Sequence, residues 1–142
     1  MKALLFTVLL AGLTFGATIK VTDNLASLKV KDQFDKPMVV TNDTKKIIIA
    51  FSKEKGAEVK KYLDNNPNYL KEQNALYFAD VSAAPSFVTS LFMMPKFKDY
   101  PFSMGVIRDE DLAAKFPYQE EKLTIISLKD SVVTAVEFTT KL

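Results

Sequence analysis

Lys46-Ile-Ile-Ile-Ala-Phe-Ser52 holds an unbroken apolar run that opens on three β-branched isoleucines. Such a run suits a strand buried on both faces, as in the parallel core of an α/β sheet. The period then changes. Across residues 53–65, Ala57, Val59, Tyr62 and Leu63 fall on one helical face, with lysines and Glu58 on the other. Asn65-Asn-Pro67-Asn ends that helix, and residues 69–73 add a further helical turn. Ala75-Leu-Tyr-Phe-Ala-Asp-Val81 is a second apolar run. Strand, helix and strand joined by a right-handed crossover make the two runs parallel neighbours.

Working outward, Ser82-Ala-Ala-Pro85 opens a second helix, since proline is tolerated in a first turn. Its expected buried stripe is Phe87, Val88, Leu91 and Phe92, and Pro95 is expected to stop or kink it. Phe102-Ser-Met-Gly-Val-Ile107 reads as a third strand, followed by a short helix over 112–116 with acids at its start. Residues 122–128 and 132–139 form two strands around the tight turn Lys129-Asp-Ser. Upstream, Ser27-Leu-Lys-Val-Lys31 alternates apolar and polar residues, and Met38-Val-Val-Thr41 follows a turn, so the pair reads as a hairpin. The expected sheet contains residues 47–51, 76–79, 103–107, 124–128 and 132–138.

With these segments the chain resembles the thioredoxin-like superfamily, and most of all its peroxiredoxin branch of alkyl hydroperoxide reductase and thiol-specific antioxidant type. Val30-Lys-Asp-Gln-Phe-Asp-Lys-Pro-Met-Val-Val40 is similar to that branch's opening hairpin. Residues 45–52 are similar to the strand that leads into its active-site loop, residues 74–81 to the next parallel strand, and residues 122–138 to its closing hairpin. The chain also resembles small exported bacterial thioredoxin-like proteins of unassigned function. The resemblance implies an α/β fold: a mixed central sheet with a parallel βαβ core, an N-terminal hairpin and a C-terminal antiparallel hairpin. It also implies where a nucleophilic cysteine would stand. That stretch here is Ser52-Lys-Glu-Lys-Gly-Ala57, without cysteine, and Glu120-Glu121-Lys122 stands where the family places a cis-proline. The fold carries over and no catalytic residue does.

Composition narrows the chemistry further. The 142 residues include no cysteine and no histidine. Thiol–disulfide exchange, serine–histidine pairs and the usual zinc ligands are therefore excluded for this chain. A net charge of +2 gives no electrostatic drive toward nucleic acid. Arg108 is the only arginine, so bidentate phosphate clamping has one candidate. A hydrophobic content of 48%, with eleven phenylalanines, supplies a core that needs no disulfide. Lys2, the apolar run Ala3-Leu-Leu-Phe-Thr-Val-Leu-Leu-Ala-Gly-Leu13 and the small residues Thr14, Gly16 and Ala17 have the layout of a secretory signal peptide. Residues 1–17 are expected to be a leader and 18–142 one periplasmic domain, with no membrane span left after cleavage.

Four constellations could carry function. Ser52, Lys53 and Lys55 could hold an anion or ligand at a helix N-terminus, or be no more than a cap and a solvated turn. Phe97, Tyr100 and Phe102 lie in a segment flanked by Pro95 and Pro101, expected to run at the surface as an apolar partner contact. The alternatives for this Met-rich region are core packing or a thioether site for Cu(I). Arg108-Asp-Glu-Asp111 could be an Arg–carboxylate cluster, a calcium loop or a helix cap, and Glu120-Glu121 an acid–base pair or a solvated loop. The expected function is a non-catalytic exported thioredoxin-fold protein binding a protein partner or small ligand, without cofactor or metal. The alternatives are an oxidoreductase or antioxidant-type enzyme of that family, or a structural envelope subunit.

Overall fold

A computed structural model describes residues 18–142. The expected leader, residues 1–17, lies outside the described residues. Among the described residues there are seven strands: β1 (Val30–Asp32), β2 (Pro37–Met38), β3 (Lys46–Ala50), β4 (Ala75–Asp80), β5 (Gly105–Ile107), β6 (Leu123–Lys129) and β7 (Val132–Thr139). They form one sheet in the order β2-β1-β5-β4-β3-β6-β7. β3 and β4 run parallel with Ile48 opposite Tyr77, and β4 and β5 run parallel with Ala79 opposite Val106. β6 joins β3 antiparallel, and β7 closes the hairpin on β6. The crossover between β3 and β4 is the helix α1 (Lys53–Asn65) followed by the short α2 (Tyr69–Glu72).

The apolar run of β3 splits its residues between two cores. Ile48 packs with Val59 and Leu63 of α1 and with Tyr77, Val106 and Ile125. Ile47 and Ile49 point the other way, onto Phe78, Ile107, Ile126 and Phe116. Alternate residues on a pleated strand face opposite sides, so a strand covered on both needs apolar residues at every position. Gly105 is demanded by the same crowding. A Cβ there would lie 2.4 Å from a ring carbon of Phe78 and 2.8 Å from a methyl of Val30.

Three expectations need correction. The N-terminal hairpin is real but shorter and displaced, with strands at 30–32 and 37–38 in place of 27–31 and 38–41. The Asp32 carboxylate accepts from the amides of Phe34 and Lys36, which winds the turn tightly just after β1. The short acidic helix, α5 (Glu110–Ala113), starts two residues early because Asp109 caps it, accepting from the Asp111 amide at 2.8 Å.

The largest difference follows β4. Residues 86–98 form one continuous helical stretch: α3 (Ser86–Val88), a π-helical turn (Thr89–Met93) and α4 (Met94–Lys98). Pro95 does not end it. Proline lacks an N–H and clashes with the carbonyl four residues back; a wider turn just before it relieves both problems. Accordingly the Met94 amide reaches back five residues, to the Thr89 carbonyl. The extra residue brings Met94 and Phe97 onto the same buried face as Thr89, and the expected stripe faces outward. Phe87, Leu91 and Phe92 are 63%, 65% and 66% exposed, while Thr89, Met94 and Phe97 are buried. Val88 is half-buried.

Candidate functional site

Because β3, β4 and β5 are parallel, their carboxyl ends meet at one edge of the sheet, where open α/β sheets place their ligands. Three segments leave that edge: Ser52-Lys53 into α1, Ser82–Pro85 into α3, and Arg108-Asp109 into α5.

At the first, Ser52 Oγ accepts from the Lys55 amide at 3.1 Å and caps α1. Lys53 is exposed. The Lys55 side chain is buried, and its ammonium donates to Glu58 Oε1 at 3.1 Å and to the Thr140 carbonyl at 2.7 Å. The three residues expected to gather around an anion thus do not converge: a cap, a solvated lysine, and a lysine that ties α1 to the chain beyond β7. Stem burial with the charge held by a carboxylate and a carbonyl is the ordinary solution for an inward-facing lysine.

The second and third segments face each other across a polar cleft of about 560 Å³, lined by Ser82, Pro85, Thr89, Arg108, Asp109 and Asp111. The Arg108 guanidinium donates through Nη2 to Ser90 Oγ at 2.8 Å, pinning the π turn to the end of β5. No salt bridge joins Arg108 to its acidic neighbours among the described residues. Nor does any group of three acidic side chains there converge as metal ligands. Glu120 and Glu121 are exposed, in the loop before β6. Thr124, fully buried, donates to the Pro117 carbonyl at 2.7 Å and anchors that loop.

The aromatic segment between the two prolines is not the exposed surface expected of it. Phe97 is 8% exposed, and Tyr100 and Phe102 are half-buried against the α1 core. Their rings form a chain, with centroids 5.6 Å apart from Phe97 to Tyr100, 5.5 Å from Tyr100 to Phe102 and 6.1 Å from Phe102 to Tyr77. Met94 and Met104 are buried in the same core, as gap fillers. Burial pushes the Tyr77 hydroxyl well above its ordinary pKa, with a smaller contribution from Tyr100. Tyr100 is raised too, by desolvation first, while Lys60 over its ring at 4.8 Å pulls the other way.

What holds this segment inward is Gln33, in the turn of the N-terminal hairpin. Its side chain is fully buried. Nε2 donates to the carbonyls of Phe97 at 3.2 Å and Phe102 at 2.8 Å, and Oε1 accepts from the Met104 amide at 2.9 Å. One amide bonds three backbone groups of this segment; the Phe97 carbonyl also accepts from the Tyr100 amide at 3.0 Å, whereas the Phe102 carbonyl and the Met104 amide have Gln33 as their partner. Nothing local marks such a glutamine, because its partners lie more than sixty residues away.

No protein-family model matches the sequence, and no curated protein matches it. Solved structures do share its fold. The thioredoxin domain of a thiol-disulfide oxidoreductase from Bacteroides vulgatus superposes with a TM-score of 0.52 at 10% identity, covering 84% of this chain and 89% of that one. A mutant PrxQ from Xylella fastidiosa gives 0.54 at 9% identity, covering 88% and 89%. A peroxiredoxin-like protein from Aquifex aeolicus gives 0.51 at 13%, covering 87% and 78%. The fold is thioredoxin-like, with peroxiredoxin-like structures among those it matches, and the chain that adopts it has no cysteine.

Proposed function

We propose that this chain is an exported, non-catalytic protein that acts in the periplasm by holding a protein partner, with Phe87, Leu91 and Phe92 as its contact face. The observation that carries the reading is the exposure of these three large apolar side chains on the helical stretch that contains the π turn. Leaving a large apolar side chain wet rather than buried costs ~1.5–3 kcal/mol, and an apolar partner surface would relieve that cost. The helix is not loose there, since Arg108 fixes Ser90 within the same turn. Residues held rigidly while exposed lose little entropy on binding. The edge where a thioredoxin-like fold would carry a nucleophile supports the same reading: Ser52 is engaged as a cap, and the chain has no histidine to activate it.

The test is a Leu91→Asp, Phe92→Ser double variant. It should keep the melting temperature of the unaltered protein and lose whatever protein cross-links to the unaltered chain in an envelope fraction. A clear fall in melting temperature would mean these residues serve the fold. Turnover of peroxide or reduction of insulin by the repurified protein, above a heat-inactivated control, would contradict the non-catalytic assignment.

A further inference from the structure

The face of the β6–β7 hairpin that α1 covers is unevenly filled. Leu123 and Ile125 of β6 lie in the α1 core, but opposite them on β7 stand Thr139 and Glu137, with Ala135 next on the same side. Small and polar residues there give α1 little apolar surface to close on, and a cavity of about 320 Å³ remains between the helix and the end of the hairpin. Val59 and Leu123 line it and are almost fully buried, and Tyr62 and Leu142 pack against the same core. Glu58, Lys61, Tyr62 and Asn65 border it as one helical stripe, at i, i+3, i+4 and i+7. The opposite wall is the chain beyond β7, and it is fixed. The Lys55 ammonium holds the Thr140 carbonyl at 2.7 Å, and Thr139 Oγ1 donates to the Lys141 carbonyl at 2.9 Å. A mostly apolar hollow of this size, with a few polar groups and walls already in place, has the build of a small-molecule site.

We propose that this cavity binds a free fatty acid, its single acyl chain against Val59, Tyr62, Leu123 and Leu142 and its carboxylate between Lys61 and Lys141. Charge selects the head group. Glu58 is the one acidic side chain in the lining, and its carboxylate already accepts from the Lys55 ammonium at 3.1 Å. Lys61 and Lys141 are exposed, so they stand where the cavity opens to water, and neither is in an ion pair with a side chain among the described residues. A cationic head would meet two ammonium groups of its own sign, and a neutral head would gain nothing from them. Volume selects the tail. The cavity lies at the small end of the range of about 300–1,000 Å³ typical of ligand sites, which suits one chain and not the two of a phospholipid. The site shares no residue with Phe87, Leu91 and Phe92, so it stands or falls independently of the partner face.

The test is a titration of the full chain with decanoate below its micelle concentration, followed by calorimetry and by the methyl resonances of Val59, Leu123 and Leu142. Binding should saturate at one decanoate per chain and shift those methyls. From hexanoate to decanoate the affinity should rise about fourfold per added methylene, the gain from burying each one. Decanol should bind about fivefold more weakly than decanoate, the worth of two exposed ion pairs, and decylammonium more weakly still. A Lys61→Gln, Lys141→Gln double variant should bring decanoate down to the affinity of decanol and leave the melting temperature unchanged, since both side chains are exposed. Vesicles of phosphatidylglycerol should leave the three methyls unshifted. Absence of saturable decanoate binding would overturn the proposal. Shifts at Phe87, Leu91 and Phe92 in place of the cavity methyls would overturn it too, by putting the chain on the partner face. Equal affinity for decanoate and decanol would overturn the assignment of the carboxylate to the two lysines, and methyl shifts with vesicles would overturn the single-chain assignment. If the double variant loses stability, the comparison of decanoate, decanol and decylammonium on the unaltered chain decides.

Discussion

Replacing Gln33 should do more damage than any other single polar substitution in this protein. Gln33→Leu keeps the volume roughly constant and removes the amide. It leaves the Phe102 carbonyl and the Met104 amide without the partners they have at 2.8 and 2.9 Å, while the Phe97 carbonyl loses its 3.2 Å bond and keeps the Tyr100 amide at 3.0 Å. Each of the two stranded buried groups costs about 1–3 kcal/mol, partly offset by the apolar side chain gained, so a loss of about 2–4 kcal/mol is expected. Against a total stability of roughly 5–15 kcal/mol, that is a large share. Gln33→Glu sharpens the test. A carboxylate there could still accept from Met104 but would face two carbonyl oxygens, so the folded state favours the protonated form, which can donate. Its folded-state pKa is therefore raised above the unfolded value of about 4.3. For a group raised in this way, the contribution is fully present below the unfolded value and is lost as pH climbs through the folded one. Urea unfolding at a series of pH values should show the gap between this variant and the unaltered protein widening above about pH 4.3 by up to ~1.4 kcal/mol per unit. Amide exchange at Met104 should accelerate in both variants. A loss below about 1 kcal/mol for Gln33→Leu would refute the view that Gln33 holds the aromatic segment inward. So would a gap for Gln33→Glu that does not vary with pH.

Two further outcomes are expected. Gly105→Ala should cost about 1–3 kcal/mol in chemical denaturation, because its Cβ meets Phe78 at 2.4 Å and the strand is enclosed on both sides. Thr22 is a β-branched residue held at φ 81. Thr22→Gly should raise stability by about 0.5–1 kcal/mol, the relief of left-handed strain less the extra entropy of glycine. The amide bond to Val133 survives that change, so a fall in melting temperature would show that the side chain has a role of its own.

The elements legible in the sequence are those whose signal is local and repeated. Ile47, Ile48 and Ile49 announce a doubly covered strand because each needs an apolar environment whichever way it points. The helix over 53–65 shows its period and its Ser52 cap, and two apolar runs joined by such a helix have one favoured handedness. The parallel pairing of β3 with β4 followed from these features, and so did the closing hairpin around Asp130 and Ser131, both at positive φ in a two-residue turn. The absence of cysteine and histidine was equally plain, and it bounded the chemistry before any coordinates. Tertiary structure alone decided which aromatics are buried. Counting apolar residues on an ideal helix put Phe87, Leu91 and Phe92 inside, but the helix buries Thr89, and the wide turn ahead of Pro95 shifts the phase so that Met94 and Phe97 share its face. The segment around Phe97 and Phe102 looked exposed because a proline-flanked stretch has no regular partner for its backbone. Gln33 supplies that partner from the first hairpin. Lys55, read as part of an anion site, is held by the Thr140 carbonyl, also far along the chain. In each case the deciding contact joins residues distant in sequence, and a local pattern records only what a residue prefers, not which distant group arrives to satisfy it.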